Sequence, residues 1–147
     1  MMDSTTGQPE DSSFVLFPLG RKRFAMPAYQ VTELARPGKL QRFPHTTDLF
    51  IGVLLRRGKI IPVCDVARAL VKPDAGERRF YLIAARPTQG VTEWTAIPVT
   101  GECELITATM IPPACRMPPY VQGLLSLENE IVEVLNLDKL IRPEVPA

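Results

Sequence analysis

Apolar and polar positions alternate over short runs at the start of the chain, and the spacing is that of strands. Apolar residues fill 14–17, a basic turn follows at 21–23, and a second apolar run over 24–26 stops at Pro27. Two such runs around a short turn predict a β-hairpin. Pro27 lacks an N–H and is suited to the first position of a helix, so a helical turn is predicted over 28–34.

The densest apolar region lies in the middle of the first half of the chain. Apolar residues over 50–55 and 60–64 flank the polar turn at 56–59, which predicts a second hairpin. Pro62 cannot donate a ladder hydrogen bond, so its strand is expected at an edge or a bulge. A short helix is predicted over 66–71, and the polar composition of 72–79 is typical of a linker.

The pattern restarts after the linker. Strands are predicted over 80–85, 94–99 and 104–108, followed by a proline-rich loop at 110–119 and a closing hairpin over 120–137. Segments 50–66 and 120–137 resemble each other, with an early glycine, a hairpin and an Asx residue before a helical turn, which predicts two related modules. The fold class is therefore all-β, with short barrel strands. The predicted organisation is a disordered segment at 1–13, a single domain at 14–141 (first barrel about 14–71, linker 72–79, second barrel about 80–137, closing helical turn 138–141) and a tail at 142–147.

Composition narrows the class further. The chain has 147 residues, enough for one domain or two very small modules, and its 15 prolines disfavour a helical bundle. There is no apolar stretch of ~20 residues and no secretory signal, so we expect a cytoplasmic protein without direct membrane insertion.

Charge is balanced overall but uneven along the chain. The formal net charge is +1, which removes the field that drives nonspecific nucleic-acid binding, so no nucleic-acid partner is expected. Residues 14–79 contain 13 basic and 5 acidic residues, whereas 80–147 contain 4 and 8. Either these are ordinary solvated faces, or the two ends dock differently charged partners or assemble head to tail.

Residues that could carry catalysis are sparse. His45 is the only histidine, and Cys64, Cys103 and Cys115 do not have the spacing of a zinc site. No phosphate-binding glycine motif is present. We therefore expect no catalytic residues, no cofactor, no metal and no enzyme activity, and Trp94 is expected in a core or at a barrel mouth.

Four collinear segments, 14–27, 29–34, 50–66 and 120–141, resemble the CheW family, the coupling proteins of bacterial chemosensory arrays. The most specific part is the spacing G-V-x-x-x-R-G-x-x-x-P-V-x-D from Gly52 to Asp65. In two places this chain differs from the usual family pattern: Leu55-Arg56 stands where Asn-Leu is common, and Thr100 stands where Asp is common. The turn at 21–23 is also basic where acidic residues are common.

The resemblance implies two SH3-like five-stranded β-barrels packed together, with no active site. It implies a non-catalytic adaptor that binds the regulatory domain of a chemotaxis-type histidine kinase and the cytoplasmic tip of methyl-accepting chemoreceptors, at membrane-associated arrays. Carried over by position, the protein-binding residues are Val31, Glu33, Gly52, Arg57 and Gly58. For Arg57, an internal salt bridge between the barrels is the alternative to a partner contact.

Three other functions stay open at this point. The first is a divergent family member in a pilus-motility pathway. The second is a small β-barrel that binds a ligand or nucleic acid, which requires basic and aromatic residues interleaved on one sheet face, and only Arg21-Lys22-Arg23-Phe24 approaches that pattern. The third is a hydrolase or transferase subunit, for which no nucleophile and base occur at a recognisable spacing.

Overall fold

The computed structural model describes residues 10–36, 40–42, 49–72, 75–113 and 116–141. Within these residues the chain forms strands joined by short helical segments, as predicted. The strands are β1 Asp11–Leu19, β2 Lys22–Pro27, β3 Val31–Ala35, β4 Phe50–Arg56, β5 Lys59–Cys64, β6 Phe80–Thr88, β7 Val91–Val99, β8 Glu104–Thr109, β9 Val121–Leu127 and β10 Glu130–Leu135. The helices are a 3₁₀ turn at Ala28–Gln30, α1 Ala67–Leu70 and α2 Leu137–Ile141.

The strands form two five-stranded sheets, and each sheet wraps around its own apolar core. Barrel A has the strand order β8-β1-β2-β10-β9, and barrel B has the order β3-β6-β7-β5-β4. Neighbours pair antiparallel except β2 with β10 and β5 with β7, which pair parallel. The all-β prediction is confirmed.

The predicted division of the chain into a first barrel, a linker at 72–79 and a second barrel is wrong. The hairpin β1–β2 pairs with β8 and β10, whereas β6–β7 pairs with β3 and β5. Each barrel therefore combines a hairpin from one half of the chain with three strands from the other half. Residues 72–79 join β5 to β6 within barrel B. Local patterns predict a hairpin, but nonlocal burial decides which strands complete its sheet.

The two barrels repeat one plan, as the sequence similarity between 50–66 and 120–137 predicts. Across the parallel pairs, Val63 lies opposite Ala96 in barrel B and Val134 lies opposite Ala25 in barrel A. Matching antiparallel bridges occur outside the strands, Gln41 with Val53 and Ile111 with Leu124. The repeat lets each position of one barrel be compared with its equivalent in the other.

Three apolar clusters hold the barrels together. Phe14 and Leu16 point into barrel A, while Val15 and Phe17 point into a cluster between the barrels. Both faces of β1 are thus buried, which explains an unbroken apolar run where a solvated strand would alternate. The interior of barrel B contains Ala35, Leu54, Ile61, Val63, Tyr81, Ile83 and Ala96. The cluster between the barrels contains Phe17, Leu19, Phe24, Met26, Leu82, Ile97 and Leu135, all fully buried.

Two local predictions need correction. Asp11–Ser13, assigned to a disordered segment, belong to β1 and pair with Thr109–Thr107 of β8, while residues 1–9 lie outside the described part. The helix predicted over 28–34 is only the turn Ala28–Gln30, because β3 begins at Val31 and pairs with β6. β-branched residues such as Val31 and Thr32 fit a pleated sheet better than a helix.

The remaining predictions near the ends of the chain have mixed outcomes. The closing helical turn at 138–141 is confirmed as α2. The tail at 142–147 and His45 lie outside the described residues. Among the described residues, no helix has the length and apolar character needed to span a bilayer.

Candidate protein-binding surface

The β4–β5 hairpin projects a tight turn from one end of barrel B. Arg57 and Gly58 occupy the two central turn positions with φ of +50° and +77°. Positive φ at both positions is typical of the type I′ turn that matches strand twist, and glycine adopts it without a steric penalty. The Arg57 side chain is 76% exposed. The turn therefore presents its guanidinium to solvent.

Glu33 links this hairpin to β3 across the gap between the two edge strands of barrel B. The Arg56 guanidinium donates a 2.6 Å hydrogen bond to the Glu33 carboxylate, and Arg57 lies 3.8 Å from the same oxygen. The hydrogen bond from Arg56 lowers the pKa of Glu33, opposed by partial burial. Glu33 therefore stays ionised at neutral pH and bridges the open edges of the sheet.

The exposure of Arg57 argues against the alternative in which it braces the two barrels. Its ion-pair partner, Glu33, belongs to the same barrel. Among the described residues, Arg57 therefore makes no salt bridge between the barrels, which is the alternative that the sequence left open.

A third cation, Lys59, completes the surface. The Lys59 ammonium lies 3.7 Å from the centroid of the Trp94 ring, a cation–π contact. These residues surround a shallow cavity of about 310 Å³ that opens at the end of barrel B. Here the name basic mouth denotes Glu33, Arg56, Arg57, Lys59 and Trp94. Trp94 lies at a barrel mouth, which is one of the two places the sequence predicts.

The predicted site residues are only partly brought together. Glu33, Arg57 and Gly58 meet at the basic mouth. Val31 begins β3 and packs, half-buried, against the core between the barrels. Arg56 and Lys59 were missed as site residues, although the departure of Arg56 from the family's usual Leu was a signal.

Gly52 is a buried packing residue. A Cβ atom at this position would lie 2.4 Å from the Gln41 carbonyl oxygen and 2.9 Å from the Leu40 side chain. The residue next to it, Val53, exchanges two backbone hydrogen bonds with Gln41, of 2.8 and 3.0 Å. The absence of a side chain allows this close approach, so we do not include Gly52 in the surface.

The equivalent end of barrel A has the opposite charge. Leu16 on β1 and Ile83 on β6 hold equivalent positions in the two barrels. Leu16 pairs with Glu104 and Ile83 pairs with Glu33, so the two glutamates are equivalent as well. The hairpin β9–β10 places Glu128 and Glu130 at the positions of Arg57 and Lys59. The name acidic mouth denotes Glu104, Glu128 and Glu130 together with Arg23.

Arg23 partly neutralises the acidic mouth. Its Nε donates a 3.0 Å hydrogen bond to Glu130, and its guanidinium lies 3.5 Å from Glu104. Glu130 is the main cause of the raised pKa of Arg23. Arg23 lies two residues before Ala25, and Trp94 lies two residues before Ala96. Because these alanines hold equivalent positions opposite the parallel strands, Arg23 and Trp94 are also equivalent.

The described residues offer little for chemistry on a substrate. They contain no cluster of metal-ligating side chains. Burial raises the pKa of both described thiols, to about 11 for Cys103, which suppresses the reactive thiolate. A shallow, charged, exposed surface of this kind is suited to protein recognition.

Two packed β-barrels with charged docking ends define an adaptor or scaffold type of protein. The chain belongs to the CheW-like family, because a family model described as CheW-like domain matches residues 13–142. The structure is similar to that of the scaffolding protein TtCheW from Thermoanaerobacter tengcongensis, with a TM-score of 0.74, 21% identity, and coverage of 97% of this chain and 96% of that one. The SH3-like two-barrel fold predicted from the sequence is thereby confirmed.

Curated relatives agree with the family. Protein FrzA of Myxococcus xanthus is 28% identical over 141 residues, covering 90% of this chain and 86% of that protein. The "Probable chemotaxis protein CheW" of Rhizobium etli is 22% identical over 138 residues, covering 88% and 87%. The chain is thus a member of a family of chemotaxis signal-transduction adaptors.

Proposed function

We propose that this protein is a non-catalytic adaptor that couples methyl-accepting chemoreceptors to the regulatory domain of a chemotaxis-type histidine kinase. It would act in the cytoplasm, at membrane-associated receptor arrays. The observation that carries this proposal is the basic mouth. Three of the residues that the family resemblance implies as partner contacts, Glu33, Arg57 and Gly58, lie together on this exposed end of barrel B.

The basic mouth has the properties of a protein-recognition surface. Arg57 offers a planar fork of donors that suits a carboxylate or backbone carbonyls. Two apolar side chains flank the turn, Leu55 at 68% and Ile60 at 67% exposure. Arginine and tryptophan are enriched among interface hot-spot residues, and here both lie near exposed apolar side chains. We assign this surface to the kinase.

The test is a charge reversal at Arg57 with a matched control. Arg57→Glu should weaken binding of the kinase regulatory domain by about 30-fold or more, which corresponds to ~2 kcal/mol, the lower end for loss of a desolvated charge pair. Arg79→Glu changes the net charge equally at an exposed position outside the mouth. Binding is measured by calorimetry and pull-down, and stability by thermal melting.

The outcomes separate the possibilities. Lost binding with an unchanged melting temperature in Arg57→Glu, and normal binding in Arg79→Glu, support the proposal. Equal loss of binding in both variants would show that the effect comes from net charge alone. Full binding by Arg57→Glu would contradict the assignment of the basic mouth to the kinase.

The nucleic-acid alternative loses its supporting feature in the structure. The aromatic residue of its motif, Phe24, is fully buried, and Lys22 packs 5.0 Å from the ring centroid. A buried ring cannot stack on bases, which is how single strands are held by β-barrels. The pilus-motility alternative differs only in the partners served, and the same pull-down with kinase domains of each pathway decides it.

Head-to-tail self-association is a second part of the proposal, supported by the charges of the two barrels. Residues 31–99, which include the strands of barrel B, contain 11 basic and 6 acidic residues. Residues 10–30 and 100–141, which include those of barrel A, contain 5 and 8. The asymmetry seen along the sequence thus persists, at a smaller size, between the barrels.

Opposite charge at two ends of one molecule favours heterologous contacts that form rings or filaments. Sedimentation at ~0.1 and ~1 M salt tests this, because the Debye length falls from ~10 to ~3 Å. We expect association at low salt that decreases at high salt. A monomer at both salt concentrations, at high protein concentration, would remove self-association from the proposal.

A further inference from the structure

Barrel A has an open gap between its two edge strands. β8 and β9 end the strand order of this sheet and do not pair with each other. The gap is a groove of about 730 Å³, lined by consecutive residues 106–109 of β8 and 126–130 around the β9–β10 turn. The bridge between Ile111 and Leu124 closes one end of the groove, so it opens at the acidic mouth.

Barrel B provides an internal comparison. Its equivalent gap, between β3 and β4, is bridged by the ion pair of Arg56 with Glu33, and the cavity there is about 310 Å³. In barrel A the equivalents of these two residues are Leu127 and Glu104, which cannot form an ion pair. One gap is therefore closed by an ion pair, and the other is open.

The free edge of β8 lacks the usual protection against strand addition. Natural edge strands are commonly blocked by proline, lysine or a bulge. The sequence of β8, Glu104-Leu105-Ile106-Thr107-Ala108-Thr109, contains none of these and is rich in β-branched residues. Leu105 is 70% exposed. Within the described part of the chain no strand pairs with this edge of β8, so its row of backbone N–H and C=O groups is available for hydrogen bonding.

The groove has an apolar floor and an acidic rim. Leu16, Ile106 and Leu127 line the floor. Glu104, Glu128 and Glu130 stand at the rim, where Arg23 is the one cation among the described lining residues, so the rim has an excess of negative charge. Glu104 and Ile106 share the face of β8 that is turned towards Leu16 and Phe14, so alternate apolar residues of an added strand could meet the floor, and a basic residue at the end of the same row could reach the rim.

We propose that this groove accepts an extended segment of a partner protein, with apolar residues at alternate positions and a basic residue at the end of that row, and that the segment pairs with β8 as an additional strand. Main-chain hydrogen bonds would provide affinity, and the floor and rim would provide specificity. The inference concerns the groove of barrel A and is independent of the kinase contact assigned to barrel B, whereas a head-to-tail contact through the acidic mouth would compete with it.

The experiment uses the full chain and a capped heptapeptide probe, Val-Thr-Val-Thr-Val-Thr-Lys, in which the lysine ends the row of valines. We expect saturable binding by calorimetry. In ¹H–¹⁵N spectra the largest shifts should fall on the amides of β8 and on 126–130, with slower amide exchange in β8. An analogue with N-methyl groups on alternate peptide nitrogens keeps the charge but cannot pair, and it should bind at least 10-fold more weakly.

A pair of protein variants tests the rim. Glu128 is exposed with no ion pair among the described residues, so Glu128→Lys should fold normally and weaken the probe at least 5-fold. Glu77→Lys makes the same charge change at an exposed position outside the groove and should not weaken it.

Four results would overturn the proposal. They are absence of binding, equal binding of the N-methylated analogue, equal effects of Glu128→Lys and Glu77→Lys, and β8 shifts that depend on protein concentration without peptide. The last result would show that a second copy of this chain occupies the groove.

Discussion

At the scale of single residues, two glycines perform the same task in the two barrels. A Cβ at Gly52 would lie 2.4 Å from the Gln41 carbonyl oxygen, and one at Gly123 would lie 2.4 Å from the Met110 side chain. Both positions let a neighbouring segment bridge onto the strand. These two glycines, which lie in segments that resemble the family, are thus a requirement of packing.

Alanine at either glycine should destabilise the fold. We expect Gly52→Ala to lower the free energy of unfolding by ~1 to 3 kcal/mol, because backbone has to move to admit the methyl group. Gly123→Ala should cost less, since the flexible Met110 side chain can move. Urea unfolding measures both. Unchanged stability of Gly52→Ala would show that segment 40–42 can move without an energetic cost, and it would contradict the packing role of Gly52.

The Cys103 thiol provides a second test at this scale. Burial raises its pKa to about 11, so at pH 8 its thiolate fraction should be roughly 100-fold below that of an ordinary thiol. We expect Cys103 to be alkylated by iodoacetamide at least that much more slowly in the folded protein than in urea. Peptide mass spectrometry follows the reaction. Similar rates in both states would contradict the burial of this side chain.

At the scale of elements, an ion pair joins β3 and β4, two edge strands that share no ladder of backbone hydrogen bonds. These strands are the two edges of barrel B, and Arg56 joins them through Glu33. The pair therefore gives this chain a pH-sensitive connection between the two edge strands of barrel B.

The stability that this pair contributes should depend on pH. The folded pKa of Glu33 lies below its ordinary value of ~4.3, so the contribution is present above that value and is lost as pH falls through the folded pKa. Glu33→Gln should therefore be less stable than the native protein at pH 7, and the difference should decrease as the pH falls below the ordinary pKa of Glu. Urea unfolding across this range measures it. Glu77→Gln is the control, and an equal pH dependence in both variants would contradict the role of Glu33.

Elements were predicted well where the signal is local. The hairpins β4–β5 and β9–β10 each follow from two apolar runs around a polar turn. The helix predicted after Pro27 was wrong beyond Gln30, because pairing with β6 outweighs the preference of proline for a helix start. Tertiary pairing overrode a local signal at that point.

At the scale of the whole molecule, each barrel contains a hairpin from one half of the chain and three strands from the other half. A cut within 72–79 therefore does not separate the barrels. A cut between residues 75 and 76 leaves β1–β5 in one fragment and β6–β10 in the other. Neither fragment contains a complete sheet, because each barrel needs strands from both. The core between the barrels would also lose half of its side chains.

We expect fragments 1–75 and 76–147 to be unfolded alone and to recover the β-sheet circular-dichroism signal and dispersed amide resonances when mixed. The nonlocal pairing of β1–β2 with β8 and β10 drives this recovery. A dispersed spectrum for 1–75 alone would restore the sequential barrels that the structure contradicts.

The sequence by itself determined the fold class, the position of most strands, the family and the exposed arginine turn at Arg57-Gly58. These follow from alternation, turn residues and motif spacing, which are local. Only the tertiary structure decided that the hairpins are exchanged between barrels, that Gly52 is buried, and that Glu33 meets Arg56. It also placed Glu104, Glu128 and Glu130 at the position equivalent to the basic mouth. Such contacts join residues far apart in the chain, and their energy depends on which faces are buried together, a quantity that no local pattern contains.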